Sequence, residues 1–420
     1  MYTLITYILI PFAIIRLAWR SLKDPDYFRH IPERFGYYNA NSKDDSIFVW
    51  IHAVSVGEVF TCQPLVKAIN EKHPNKNLLI SITTPTGRQT ANSIFSRKNI
   101  KVVYLPFDVP FAINKFIRHF GPKTGILMET EIWPNLIKLC KQSDIPLNLV
   151  NARLSRQSAR RYARFPRMSK NIINQLNIVG AQTRNDAKRF KFFRSRVIHV
   201  TGSMKFDREI PKNQLDHGLR LKKKYGMSRQ IFLLASTKPG EEELIIDKIV
   251  QLKNIENLLI VIVPRHPNRC DKIDRLLKER SITTQRVSRT VEIDKNTEVV
   301  LGDEIGNLVA YYHACDVAFV GGSLLPYGGQ NFMEACSAGR PVIVGQYTFN
   351  FEEFAKEAVR KKAILRIYNE IELINTAKQL LNNQITRRQM GNSGLKFFHS
   401  KQGATKITYN LLKPSFTIER

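Results

Sequence analysis

From residue 47 onward, apolar positions fall into short unbroken runs. Between the runs, apolar residues recur every three or four positions. The runs "SIFVWIHAV" (46–54), "LLISITT" (78–84), "VVYLPF" (102–107), "TGILMET" (124–130), "PLNLVNA" (146–152), "IVGAQ" (178–182) and "VIHVTG" (197–202) have the length of buried strands. A second series follows: "QIFLLAST" (230–237), "NLLIVIVPR" (257–265), "TEVVLGD" (297–303), "DVAFVGG" (316–322) and "PVIVGQ" (341–346). Strands alternating with helical segments predict parallel sheets covered by helices. The polar stretch "MKFDREIPKNQLDHG" (204–218) separates the series and predicts the domain boundary. The expected fold is α/β, with two Rossmann-like, doubly wound domains facing across a cleft. The first spans 23–207 and the second 208–420, the last helix being free to pack back on the first domain. Ligands of open parallel sheets bind at the carboxyl ends of the strands, so the cleft is the expected site.

The first 22 residues break this pattern. "MYTLITYILIPFAIIRLAWRSLKD" is uncharged as far as Arg16, which is short for a full span of roughly 20 residues. No basic residue precedes the run and no small-residue cleavage site follows, so it does not read as a cleaved signal peptide. Arg16, Arg20 and Lys23 follow, with Trp19 among them, and predict that the rest of the chain stays on the cytoplasmic side. The segment is read as a membrane anchor, either one tilted span or an interfacial helix. A buried N-terminal helix is the alternative.

Composition adds one strong constraint. The 420 residues carry 65 Lys and Arg against 36 Asp and Glu, a formal charge of +29, while 43% of the residues are hydrophobic. The chain is globular in composition and drawn to phosphate-rich partners, either nucleic acid or an anionic membrane. Cys62, Cys140, Cys270, Cys315 and Cys336 are scattered and odd in number, which favours reduced thiols over a disulfide scaffold or a zinc site. The basic residues gather in "NARLSRQSARRYARFPRMSK" (151–170) and "DAKRFKFFRSRV" (186–197). With Phe190, Phe192 and Phe193 read as exposed rings, these runs suit a surface resting on anionic lipid; the bland reading is a solvated helix face.

Candidate chemistry lies at strand ends. "FVWIHAVSVGEVF" places Ser55, Gly57 and Glu58 where an apolar run passes into a helix. "LLAST" ends at Ser236 and Thr237, and "IVIVPRHP" at Arg265 and His266. The stretch 318–345 carries Gly321, Gly322, Gly328 and Gly329, then Asn331 and Glu334. Glycines at a strand-to-helix turn let backbone amides approach a phosphate. Arg265 suits a two-pronged phosphate contact, and Glu334 suits the hydroxyls of a ribose. A lone glycine pair is more often just a turn; on successive strands these features favour a nucleotide site. The sole Asp-x-Asp, Asp24-Pro25-Asp26, lies beside the anchor and reads as linker, and nothing calls for a metal or cofactor. Glu129 and Glu131 in "METEIWPN" bind either ligand hydroxyls or a loop. His52, inside an apolar run, reads as a core residue.

In order and spacing these motifs resemble the nucleotide-sugar glycosyltransferases of the GT-B fold, and more closely the Kdo (3-deoxy-D-manno-octulosonic acid) transferases of lipopolysaccharide assembly. The resemblance covers nearly the whole chain: "PERFGYY" (32–38), "WIHAVSVGEV" (50–59), "ITTPTGRQTA" (82–91), "YLPFDVP" (104–110), "LMETEIWPNLI" (127–137), "LVNARLSRQS" (149–158), "GSMKFD" (202–207), "VPRHP" (263–267), "VGGSLLPYGGQNFMEA" (320–335) and "RPVIVGQYTFNFEEF" (340–354). It implies an inverting enzyme moving Kdo from CMP-Kdo to a lipid A precursor at the cytoplasmic face of a bacterial inner membrane, without a metal. It places the general base on Glu58, whose other reading is a helix cap. The implied donor set is Ser236, Thr237, Arg265, His266, Gly306, Gly322, Gly329, Asn331 and Glu334. The implied acceptor set is Ser55, Gly57, Arg88, Glu129, Arg153 and Arg156. The chain departs from the family at Tyr327 and Gln330, where histidines are common; neither replacement titrates near neutral pH. Competing readings are a GT-B transferase with another nucleotide sugar, a nucleic-acid-binding protein suggested by charge alone, and a non-catalytic membrane scaffold. The absence of a nucleic-acid motif argues against the second, and the intact "SVGE" and "NFME" segments against the third.

Overall fold

The computed structural model describes residues 2–22, 24–39, 47–252 and 254–416. Lys23 of the predicted basic flank and Ser46 of the first predicted strand lie outside the described residues. The chain forms two compact units, Met1–Arg208 with Gln402–Arg420, and Glu209–Lys401.

The first unit opens with helix α1 (Tyr2–Ser21). Strands β1 (Ile47–His52), β2 (Asn77–Ile82), β3 (Ile100–Tyr104), β4 (Thr124–Met128), β5 (Leu147–Ala152), β6 (Val179–Ala181) and β7 (Ile198–Val200) form one sheet in the order β3-β2-β1-β4-β5-β6-β7. All its pairings are parallel. Parallel neighbours need crossovers, and helices α2 (Val56–Lys72), α3 (Pro85–Ile94), α4 (Pro110–Phe120), α5 (Pro134–Gln142), α6 (Arg156–Ala163), α7 (Pro166–Ile173) and α8 (Arg184–Phe192) supply them. Proline opens α3, α4, α5 and α7, where its missing N–H costs nothing. β1 is buried along its length, and Trp50, Leu127 and Phe116 anchor the core on one side of the sheet. Each such side chain contributes roughly 1.5–3 kcal/mol on burial.

The second unit begins with α9 (Lys212–Tyr225). Its sheet comprises β8 (Gln230–Thr237), β9 (Leu258–Pro264), β10 (Thr284–Arg286), β11 (Val299–Leu301), β12 (Val317–Val320), β13 (Val342–Val344) and β14 (Leu365–Arg366), again all parallel, in the order β10-β11-β9-β8-β12-β13-β14. Around it lie α10 (Glu241–Ile249), α11 (Cys270–Lys278), α12 (Leu308–Ala314), α13 (Met333–Ser337), α14 (Glu352–Arg360), α15 (Glu370–Asn382) and α16 (Gln384–His399). The last helix, α17 (Ala404–Phe416), belongs to the first unit, where Leu412 and Phe416 join the core beside Phe48 and Val66.

The structure differs from the sequence reading in places. Part of the expected linker, residues 212–218, is helix: it opens α9, which buries Gly218, Leu221 and Tyr225. Edge strands β10 and β14 were not expected, because "TQR" is polar and β14 is two residues long. Phe190 and Phe193 are core residues, 0% and 1% exposed, because positions 186, 190 and 193 share the inner face of α8 and the turn after it. Phe192 alone of the three is exposed.

Candidate functional site

In a doubly wound sheet the strand order reverses at one place, and the two strand ends there splay apart. In the first unit that place is between β1 and β4. The turn after β1 carries Ser55, Gly57 and Glu58; the end of β4 carries Glu129. Ser55 is the N-cap of α2 in an extended conformation, without a side-chain cap bond. Glu58, in the first turn, accepts the Val54 N–H at 2.8 Å. A Cβ at Gly57 would meet only Ser55 Oγ, at 3.9 Å, so no packing within the unit demands glycine there.

The Glu58 carboxyl is pushed up to about 8, chiefly by burial. The Val54 N–H opposes this, Glu129 and Glu131 add to it, and Lys205 lowers it. The first turn of a helix favours the ionised carboxylate, and burial outweighs that effect. Glu129 stands at φ 56, which ends β4 earlier than the sequence run implied. Its carboxylate pairs with Lys205 Nζ at 2.7 Å and accepts from Asn151 Nδ2 at 3.3 Å. Glu131 accepts the Trp133 indole N–H at 2.7 Å, so it holds its own loop.

The other predicted acceptor residues are placed differently. Arg88 grips Glu33 at 2.8 and 3.0 Å and stacks over Tyr104, and Glu33 also accepts the Tyr104 N–H. That gives Arg88 a structural task, securing the turn Ile31–Phe35 beside a hollow of about 200 Å³ lined by Arg29, His30 and Tyr104. Arg153 donates its backbone N–H to Glu129 O, and Arg156 is exposed in the first turn of α6. His52 is fully buried with Nδ1 on Ser81, and burial pushes it down to about 4, so it stays neutral. Asp24 caps the turn Pro25–Tyr27, and Asp26 pairs with Arg29. Lys205 was not singled out in the sequence; the signal was a lysine in the turn after β7, whose partner sits 76 positions away.

In the second unit the order reverses between β8 and β12. Ser236 stands at φ 54 at the end of β8, and Thr237 Oγ1 donates to Glu242 Oε1 at 2.9 Å. Glu242 pairs in turn with Arg269 at 2.9 Å. Arg265 donates its backbone N–H to Thr237 O, and the Arg265 and His266 side chains are both exposed. Burial first, then Lys238, Arg265 and Arg269, lowers His266. Gly321 lets β12 pass close to β8: a Cβ there would lie 2.7 Å from Thr237 Cα. Asn331 Nδ2 donates to Glu334 Oε1 at 3.0 Å, which orients that carboxylate. Gly306 lies beyond β11 at φ 84 with open space around its Cα.

One expectation needs correction. The glycine-loop amides were read as free for a phosphate. The N–H of Gly322 donates to Glu241 at 2.7 Å, that of Leu324 to Glu241 at 2.9 Å, and that of Gly329 to Gly322 O. Glu241 is 0% exposed and also accepts from Lys238 N. An internal carboxylate therefore occupies the Gly322 and Leu324 donors, and a backbone carbonyl occupies that of Gly329. "PGEEE" (239–243) gave no hint of which glutamate would turn inward.

Residues 29–208 match the profile described as 3-deoxy-D-manno-octulosonic-acid transferase (kdotransferase), and residues 241–397 that of glycosyl transferases group 1. The chain is 34% identical to a 3-deoxy-D-manno-octulosonic acid transferase of Haemophilus influenzae, over 98% of this chain and 97% of that one. It is 36% identical to that of Bordetella pertussis, over 91% of each. A solved glycosyltransferase of Rickettsia africae shares the fold, with TM-score 0.63 at 12% identity, covering 90% of this chain and 100% of that one. Two Rossmann-like units of this kind make the GT-B architecture. By near full-length identity and by both profile matches, the chain belongs to the 3-deoxy-D-manno-octulosonic acid transferase family of glycosyltransferases.

Proposed function

We propose that the protein transfers Kdo from CMP-Kdo to a lipid A precursor in one inverting displacement, with Glu58 as general base. The observation that carries this reading is Glu58 itself. It stands at the strand-order reversal of the first sheet, beside an unhindered glycine, with its carboxyl raised to about 8. A base with a value near the working pH combines a usable ionised fraction with strong proton affinity. The bond to Val54 uses Oε2 and leaves Oε1 for the acceptor hydroxyl. As the acceptor oxygen bonds to the Kdo anomeric carbon, its proton passes to Glu58 and CMP departs with the bonding pair. The Glu129–Lys205 pair holds a cation beside Glu58, where it stabilises the ionised base.

In the second unit, Arg265 is read as meeting the leaving phosphate and Glu334, oriented by Asn331, as meeting the ribose. Ser236, Thr237, Gly306, Gly322 and Gly329 shape the donor seat through the backbone, and His266 borders it. Of the acceptor set, Ser55, Gly57, Glu129, Arg153 and Arg156 remain in this reading. Arg88 supports it from a distance through Glu33. The reading sets the reaction at the cytoplasmic face of an inner membrane, which the apolar helix α1 and the basic surface support, and it requires no metal. The test is transfer by purified protein from CMP-Kdo, generated in place, to a tetra-acylated lipid A precursor, followed by mass spectrometry. Added Kdo mass is expected, with no transfer from UDP-sugars. A folded, CMP-binding protein that leaves the lipid unchanged contradicts the reading.

A further inference from the structure

Helix α1 is long and apolar enough to cross a membrane. Its contacts place it otherwise. At its start, Tyr2 Oη donates to Asp108 Oδ2 at 2.8 Å, and Thr3 Oγ1 to Asn135 Oδ1 at 2.8 Å. Asn135 Nδ2 reaches Thr6 Oγ1, and Tyr7 stacks on Phe111 of α4. Asp108 is itself fixed, accepting the N–H groups of Asn135 and Leu136 at the start of α5. At its far end, Asp24 N donates to Arg20 O, and the Arg20 guanidinium lies 5.4 Å from the Tyr27 ring centre. The same turn reaches α3, where Gln89 Nε2 donates to Asp26. Both ends are thus tied to one globular unit. Twenty helical residues extend roughly 30 Å, about the thickness of a hydrocarbon core. A spanning helix would carry Tyr2 to the opposite side, far from Asp108.

The burial pattern along α1 agrees. Thr3, Thr6, Ile10, Ala13, Leu17 and Ser21 are half-buried, a stripe of helical period. Leu4, Ile8, Phe12, Ile15, Trp19 and Leu22 form the opposite stripe, each more than half exposed and all apolar. The hydroxyl-bearing side faces the protein, and the greasy side faces away along the whole length.

We propose that α1 is an in-plane anchor: it lies along the surface of the first unit, with the Leu4–Leu22 stripe sunk in one leaflet of an anionic bilayer and both ends on the same side. Its occupant is lipid because the patch continues into basic surface. Exposed Phe165 lies between Arg164 and Arg167, exposed Met168 follows Arg167, Arg160 and Arg161 precede them, and Tyr162 of the same segment lies near Tyr2. Rings and aliphatic chains at headgroup depth, flanked by arginine, match an interface of anionic lipid. The inference deepens the membrane-anchor reading above and rests on it.

Nitroxide labels at Leu4→Cys, Phe12→Cys and Trp19→Cys test it in the full chain, bound to vesicles of phosphatidylethanolamine and phosphatidylglycerol. All three positions face outward, and the five native cysteines are buried. Leu4 and Trp19 are about 22 Å apart along the axis. Label depth comes from relaxation by oxygen against a water-soluble nickel chelate. The same shallow depth at all three sites is expected. Phe12 at the bilayer centre, with Leu4 and Trp19 near opposite surfaces, would overturn the in-plane placement yet keep the anchor. All three labels open to nickel would remove the anchor as well.

Discussion

Gly57 and Glu58 stand next to each other and ask for opposite tests. Open space at the Gly57 Cα means that Gly57→Ala should leave the melting temperature unchanged or slightly raised, because alanine favours helix. Its acceptor KM should rise at least tenfold if a sugar must approach there; an unchanged KM would return the glycine to simple helix geometry. For Glu58 the sign follows from a folded value above the ordinary 4.5. The unfolded chain gives up this proton first, so the native state loses stability as pH rises from about 4.5 to about 8. Glu58→Gln removes that loss and still offers an oxygen to the Val54 N–H. Its stability relative to the wild type should therefore grow between pH 5 and pH 8, as read by urea unfolding. In activity, kcat/KM of the wild type should climb about tenfold per pH unit and level near pH 8.

Among the elements, two carboxylates, Glu33 half-buried and Glu241 buried, hold segments in place. Glu33 and Arg88, each 14% exposed, fix the turn Ile31–Phe35 to β3 and α3. Arg88→Ala should cost about 3 kcal/mol in urea unfolding, and Arg88→Lys should recover little, because the contact is two-pronged. Glu241→Ala strands the N–H groups of Gly322 and Leu324 in the loop after β12 and that of Lys238 after β8, each worth about 1–3 kcal/mol. It should weaken CMP binding at least tenfold by calorimetry. Much of this level was legible in advance. Twelve strands of the two sheets lay in apolar runs, and Glu58 stood out because a carboxylate at a strand end has no packing reason to be there. The missed features share one cause, dependence on contacts distant in sequence. Lys205 acquires meaning only from Glu129, and Glu241 only from Gly322, 81 residues on. Phe190 and Phe193 misled because aromatics among basic residues look alike on either face of a helix.

For the whole molecule, the charge of +29 is a statement about partners. Near an anionic leaflet each Lys or Arg contributes about 1 kcal/mol, and salt screens the attraction. Replacing Arg160, Arg161, Arg164 and Arg167 by Gln should reduce sedimentation with phosphatidylglycerol vesicles at least a hundredfold. The melting temperature should hold, since all four side chains are exposed. The central claim, however, rests on one carboxylate. The most direct measurement compares wild type with Glu58→Gln in Kdo transfer from CMP-Kdo to the lipid acceptor, with CMP affinity measured on both. If Glu58 is the base, kcat should fall at least a hundredfold with CMP affinity unchanged. Full transfer by the variant would leave the family assignment standing and reduce Glu58 to a cap on its helix.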